Sequence, residues 1–162
     1  MEDKKLLDEY KMKISKILGC SLNDILFYKD CYTGKPTIVE DFTYYKPIVG
    51  SNYAIFSVRL KNEDKEEKIS TFSLYEMPHC CAFMVSCNVN ISSKFREKGL
   101  GKILNLFRIE IGKQLGYSAI LCTDISTNIA QRKILKDNGW EDIYEIKNKR
   151  TNNLVHLTVK NL

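Results

Sequence analysis

Four basic side chains and two glycines crowd one stretch of the chain, Ser93 to Lys102, and their spacing suits an anion cradle. Lys94, Arg96, Lys98 and Lys102 supply positive charge, and Gly99 and Gly101 leave backbone N–H groups open to close approach. An alternating, strand-like run from Ala82 to Ile91 leads into the stretch, and a helix-like run from Lys102 to Leu115 leads out of it. The first turn of a helix carries unpaired N–H groups and the positive end of the macrodipole. A phosphate can rest there if no side chain blocks it. The order Arg-x-x-Gly-x-Gly is neither the Gly-x-x-x-x-Gly-Lys-Ser/Thr of P-loop nucleotide hydrolases nor the Gly-x-Gly-x-x-Gly of dinucleotide sites. Taken alone, the same residues also fit a helix that merely begins after a basic turn.

The elements downstream give the cradle a context. An apolar strand, Ala119 to Cys122, follows the helix. Ser126-Thr127-Asn128 then forms an N-cap region for a short helix, Ile129 to Asn138. Gly139 is the residue type that ends helices, and Trp140 follows at once. Strands over Ile143–Lys147 and Leu154–Lys160 complete the chain.

In order and in motif this region resembles the GNAT superfamily of acyl-CoA-dependent N-acetyltransferases. The resemblance is close over residues 82–147 and extends to the rest in outline. It implies an α/β fold: a mixed, mostly antiparallel central sheet flanked by helices on both faces. It implies acetyl-CoA as co-substrate. The loop from Arg96 through Glu97, Lys98, Gly99, Leu100 and Gly101 to Lys102 would hold the pyrophosphate. Val89, Asn90 and Ile91 on the preceding strand would meet the pantetheine arm, joined by Asn128. Gly139-Trp140 matches the glycine-aromatic pair that closes the family's last helix. The region after the first helix helps wall the acceptor site in that family, which makes Tyr32, Tyr44 and Tyr45 candidates for substrate contact; as aromatics, they also fit the edge of a core.

The chain departs from the family where the proton is handled. Members often carry a Glu general base where this sequence has Phe83 or Thr123, and many carry a Tyr acid where it has Leu135. The remaining candidates are Asn90, Thr123 and Asp124. Asp124 is the nearest carboxylate, though strand alternation sets its side chain opposite to that of position 123. Three readings are open: N-acetylation of a primary amine on a small molecule or protein; an acyl-CoA-binding module with weak or no catalysis; and a basic nucleic-acid-binding domain. The last lacks the recognised nucleic-acid motifs.

Composition sets the frame for these readings. The chain has 162 residues, 44% hydrophobic and 28% charged, which suits one folded domain over 1–162 and excludes a disordered chain. The net charge of +5 resides in the second half, with the cradle. No apolar run approaches a membrane span, and Met-Glu-Asp-Lys-Lys is no signal-peptide start, so a cytoplasmic monomer or homodimer is expected. Six irregularly spaced cysteines and two histidines give no zinc pattern, and reduced thiols are expected. Residues 3–18 read as a helix, residues 20–50 as irregular, and Tyr53–Leu60 and Lys68–Met77 as strands joined by a charged connection.

Overall fold

The computed structural model describes residues 2–30, 37–38, 54–63, 65–77, 79–80 and 82–162. Their elements run α1 (Glu2–Leu18), β1 (Ile25–Asp30), β2 (Thr37–Ile38), β3 (Ala54–Asn62), β4 (Lys65–Glu76), β5 (Phe83–Ile91), α2 (Leu100–Gln114), β6 (Ala119–Ile125), α3 (Ile129–Asp137), β7 (Glu141–Lys147) and β8 (Leu154–Asn161). The strands form one eight-stranded sheet in the order β2-β1-β3-β4-β5-β6-β8-β7. Only β5 and β6 run parallel, so the sheet is mixed and mostly antiparallel, as the sequence implies.

Two expectations are corrected. Residues 20–50 are not wholly irregular, because Ile25 and Phe27 alternate into the core and β1 pairs with β3 from Ile25↔Leu60 to Asp30↔Ile55. The connection between the next two strands is also shorter than expected. β3 and β4 pair through to Asn62↔Lys65, and the charges assigned to a loop lie on the ladder. There Lys61 opposes Glu66, and Arg59 donates to Glu66 at 3.1 Å. Opposite charges facing across a pair of strands extend the hairpin rather than fray it.

The core lies on the helix-packed face of the sheet. Phe107 of α2, fully buried, is its centre. Its ring meets Tyr10 of α1 at 4.6 Å, Phe27 of β1 at 5.3 Å and Phe72 of β4 at 6.2 Å between centroids. α3 joins the same layer through Leu135, so the described helices share one face of the sheet rather than flanking both as expected. Gly112 of α2 lies so close to Ile120 of β6 that an added Cβ would stand 2.9 Å from its Cδ1.

Truncating Phe107 to Ala removes the contact shared by two strands and two helices. Urea denaturation of Phe107→Ala should show a loss of about 3–5 kcal/mol; a loss below about 1 kcal/mol would mean that the layer closes around the gap.

Candidate functional site

The site begins where two strands part. β5 and β6 pair only at Phe83↔Ala119, Met84↔Ile120 and Val85↔Leu121. Beyond that, β6 stays with β8 over seven pairs, from Ala119↔Asn161 to Ile125↔Val155, while β5 follows β4. The cause is local. Between Ser73↔Cys87 and Thr71↔Asn90, β5 carries one residue more than β4, a bulge at Asn88–Val89. A bulge bends its strand and interrupts the alternation of side chains. The run Phe83, Val85, Cys87, Val89 and Ile91, apolar and alternating in the sequence, is therefore split between the two faces. Met84 and Ser86 are the fully buried residues of the first half, and Ile91 faces the helices only after the bulge.

The cradle closes the open end of this wedge. A single 3-10 turn, Ser93–Phe95, is pinned by buried Phe95, and the chain then passes through two left-handed residues, Glu97 at φ 62° and Gly99 at φ 83°. Gly99 is the N-cap of α2, and no side chain caps that helix. The first N–H groups to bond back are those of Lys102 and Ile103, both onto Gly99 O, and the first turn holds no acid. A left-handed residue followed by helical ones turns successive N–H groups to one side, a concavity suited to an anion. A Cβ on Gly99 would meet none of the described residues within 4 Å, so among them the space before the helix is open.

Val89, Asn90, Ile91, Arg96, Glu97, Gly99, Leu100, Gly101, Lys102 and Asn128 all line one cleft of about 530 Å³. Lys98, exposed beside it, does not. Three details differ from expectation. Gly101 is small for packing: a Cβ there would stand 2.9 Å from Ile134 Cδ1 of α3, pressing the two helices apart. Lys94 spends its charge on Glu67, at 2.7 Å. Arg96 Nε donates to Ile91 O at 2.9 Å, tying the loop to the end of β5.

α3 forms the opposite wall. Asn128 Oδ1 accepts from Gln131 N at 3.2 Å, so Asn128 is the cap that starts the helix. Its end is fixed by a node the sequence did not reveal. Buried Asn105 of α2 accepts at Oδ1 from Asn138 Nδ2 at 2.8 Å and from Trp140 Nε1 at 3.1 Å. This explains the glycine-aromatic pair: Gly139, at φ 72°, turns the chain so that the Trp140 indole returns to α2. A second missed residue is Arg108. It is fully buried, donates from Nη1 to Ser86 Oγ at 2.5 Å and from Nε to Leu104 O at 3.2 Å, and meets no carboxylate among the described residues. Burial brings its pKa down to about 10, and the Cys122 thiol nearby is pushed up to about 11 by the same desolvation. Ser86 and Cys122 are the first residues of β5 and β6 beyond their shared pairs, so this cation lies where the strands part. One polar position within an apolar helical stripe was the available sign.

The three candidates for proton handling are not brought together. Register places Asn90 with Thr71, and Thr123 with Leu157, on the face away from the helices, and both are exposed. Asp124 points to the helix side, where it is buried, with Arg132 Nη1 of α3 3.6 Å away and no hydrogen bond from the described residues to either carboxylate oxygen. It lines a different cleft of about 680 Å³, between α3 and β7, with Trp140 and Asp142. Tyr32, Tyr44 and Tyr45 lie outside the described residues. No group of metal-ligating side chains occurs among the described residues, and Cys20, Cys80, Cys87 and Cys122 are free thiols. No helix among them is long and apolar enough to cross a membrane.

The sequence matches no protein-family model and no curated protein. Solved structures do match. An IAA acetyltransferase from Bacillus cereus is 15% identical, with a TM-score of 0.54 over 68% of this chain and 78% of that one. The NatC complex bound to Gag peptide and CoA is 12% identical, with a TM-score of 0.60 over 67% of this chain and 70% of that one. A GNAT-family acetyltransferase from Bacillus anthracis is 12% identical, with a TM-score of 0.56 over 66% and 65%. The chain has the fold of the GNAT acetyltransferases.

Burial raises the Asp124 pKa, and the Arg132 charge only partly offsets this. Ionising Asp124 therefore costs more in the folded chain than in the unfolded one. Its unfavourable contribution is absent below the ordinary carboxylate range and appears as pH rises through the raised folded value. Asp124→Asn should unfold at higher denaturant than the native chain at neutral pH, with the gap closing as the solution is made acid. A variant less stable at neutral pH would mean that the Arg132 attraction outweighs desolvation.

Proposed function

We propose that this chain is an acetyl-CoA-dependent N-acetyltransferase acting on a primary amine of a small molecule or protein. One observation carries the reading: an uncapped, acid-free helix N-terminus and a bulged, unpaired strand arm border the same cleft. The fit to acetyl-CoA is chemical. The left-handed Gly99, the open space before α2 and the Lys102 charge suit a pyrophosphate. The arm at Val89–Ile91, freed from β6 by the bulge, suits an extended amide chain such as pantetheine, because its backbone groups have no strand partner on that side. Asn128 stands across the cleft. When bound, acetyl-CoA would supply an activated acetyl thioester.

In this reading the protein's own contribution is mainly positioning. Asn90 and Thr123 flank the wedge on one face and would orient the acceptor amine. With Asp124 turned to the other face, no carboxylate among Asn90, Thr123 and Asp124 stands ready to take the proton. Holding two reactants in register can supply much of a rate by itself, whereas general acid–base assistance contributes about 10²–10⁴-fold. Turnover should accordingly be slow and rise with pH as the acceptor amine loses its own proton. The same missing groups favour the second reading, a module that binds acyl-CoA without transferring the acyl group.

Thermal denaturation with and without acetyl-CoA tests the binding. At about a hundred times its dissociation constant the ligand should add about 2.7 kcal/mol of stability. Lys102→Glu places a carboxylate in the first turn of α2 and should weaken binding at least about tenfold, a loss of about 1.4 kcal/mol, while the free protein melts no lower than before, since an acid suits the positive end of a helix. An equal ligand-induced shift in that variant would exclude the cradle as the phosphate site. Asn128→Ser keeps the cap and should leave stability within a few tenths of a kcal/mol. A raised acetyl-CoA constant in that variant would mark Asn128 as a cofactor contact, and an unchanged one would leave it only the cap. Acetyl transfer assayed over a panel of amines decides between enzyme and module. Full stabilisation by acetyl-CoA with no transfer to any amine would select the module.

A further inference from the structure

Among the described residues, β7 is the last strand of the sheet and is paired on one side only, with β8. All seven of its residues are exposed, among them Ile143 at 53%, Tyr144 at 66% and Ile146 at 43%. A bulge lies between Asp142 and Tyr144, but Tyr144 to Lys147 is regular edge. Apolar residues continue inward on the face away from the helices, with Ile125 exposed and Val155 buried. Ile146, Val155 and Ile125 form one row across three strands, and Tyr144 and Leu157 begin the next. An edge strand bearing large apolar side chains, covered by none of the described residues and not interrupted by proline, is a template for another strand.

The charges say which strand. β7 begins with Glu141 and Asp142 and ends at Lys147, with Lys149 and Arg150 in the following turn. Asp142 is engaged with Arg132 at 2.9 Å within its own chain, and Glu145 with His156 at 3.2 Å. Glu141 and Lys147, at opposite ends, make no ion pair with the described residues. A second β7 laid antiparallel sets the acidic start of each strand beside the basic end of the other. A parallel copy would set like charges together. We propose that two copies of this chain associate through β7 about a two-fold axis, extending one sheet across both and burying Tyr144 and Ile146. An isologous interface of this kind is self-complementary and closes at two. The wedge and cradle remain free, so the inference stands apart from the proposed activity.

Sedimentation velocity over a range from low to high micromolar tests it. The native chain should pass from monomer to dimer and go no further. Tyr144→Lys, at a side chain exposed in the single chain, should remain monomeric with unchanged melting. Glu141→Lys and Lys147→Glu should each raise the dimer dissociation constant about tenfold, because each puts like charges together twice. The double variant Glu141→Lys/Lys147→Glu should restore it. A native chain that stays monomeric, a Tyr144→Lys dimer as tight as the native one, or a double variant no tighter than the singles would each overturn the proposal.

Discussion

One extra residue in β5 governs the architecture of the site. If β5 and β6 paired along their whole length, the sheet would be sealed and α2 and α3 would close over it. The bulge at Asn88–Val89 ends that pairing after three residue pairs. Backbone groups of β5 thereby lose their neighbours, the cradle is carried to the mouth of the gap, and α3 is placed on the far wall. Unpaired backbone groups in a sheet are costly unless water or a ligand satisfies them. A wedge of this kind is therefore stable only where it stays wet or is filled by something that can hydrogen-bond along a strand.

The polar groups buried around the wedge hold its shape by different means. Asn105 accepts two donors from beyond the end of α3 and so fixes that helix to α2 on the side away from the mouth. Arg108 holds a cation below the strands' point of parting, bonded to Ser86 and to its own helix. A buried, hydrogen-bonded charge adds little net stability, but its removal leaves partners unsatisfied. The walls of the cleft are thus set before any ligand arrives, which spares binding the entropy of ordering them.

Much of this was legible in the sequence where local chemistry decides it. The glycines before α2, the cap at Asn128 and the stop at Gly139 announce helix ends, because those positions require particular backbone angles and donors. The apolar stripe of α2 announces a buried face. The bulge was not legible, since Asn88 and Asn90 alternate like their neighbours and the added residue shows only in the register with β4. The role of Gly101 was misread because its neighbour, Ile134, comes from another helix. Asp124 was foreseen as turned from the position of Thr123, since alternation on an unbulged strand is a local rule. The link from Asn105 to Trp140 spans 35 positions, and no local rule reports it.

The uneven pairing of β6 bears on the order in which the protein acquires its shape. This strand holds β5 by three pairs and β8 by seven. Its parallel neighbour comes before it in the chain, but its main partner comes after it, and the first contact of that ladder joins Ala119 to Asn161. A chain emerging from synthesis can therefore assemble the β3–β4–β5 meander and seat α1 and α2 on it while β6 is still loosely held. The second arm of the wedge becomes rigid only when β8 docks. The half of the cleft that supplies the cradle is built early, and the half that gives it a width is built last.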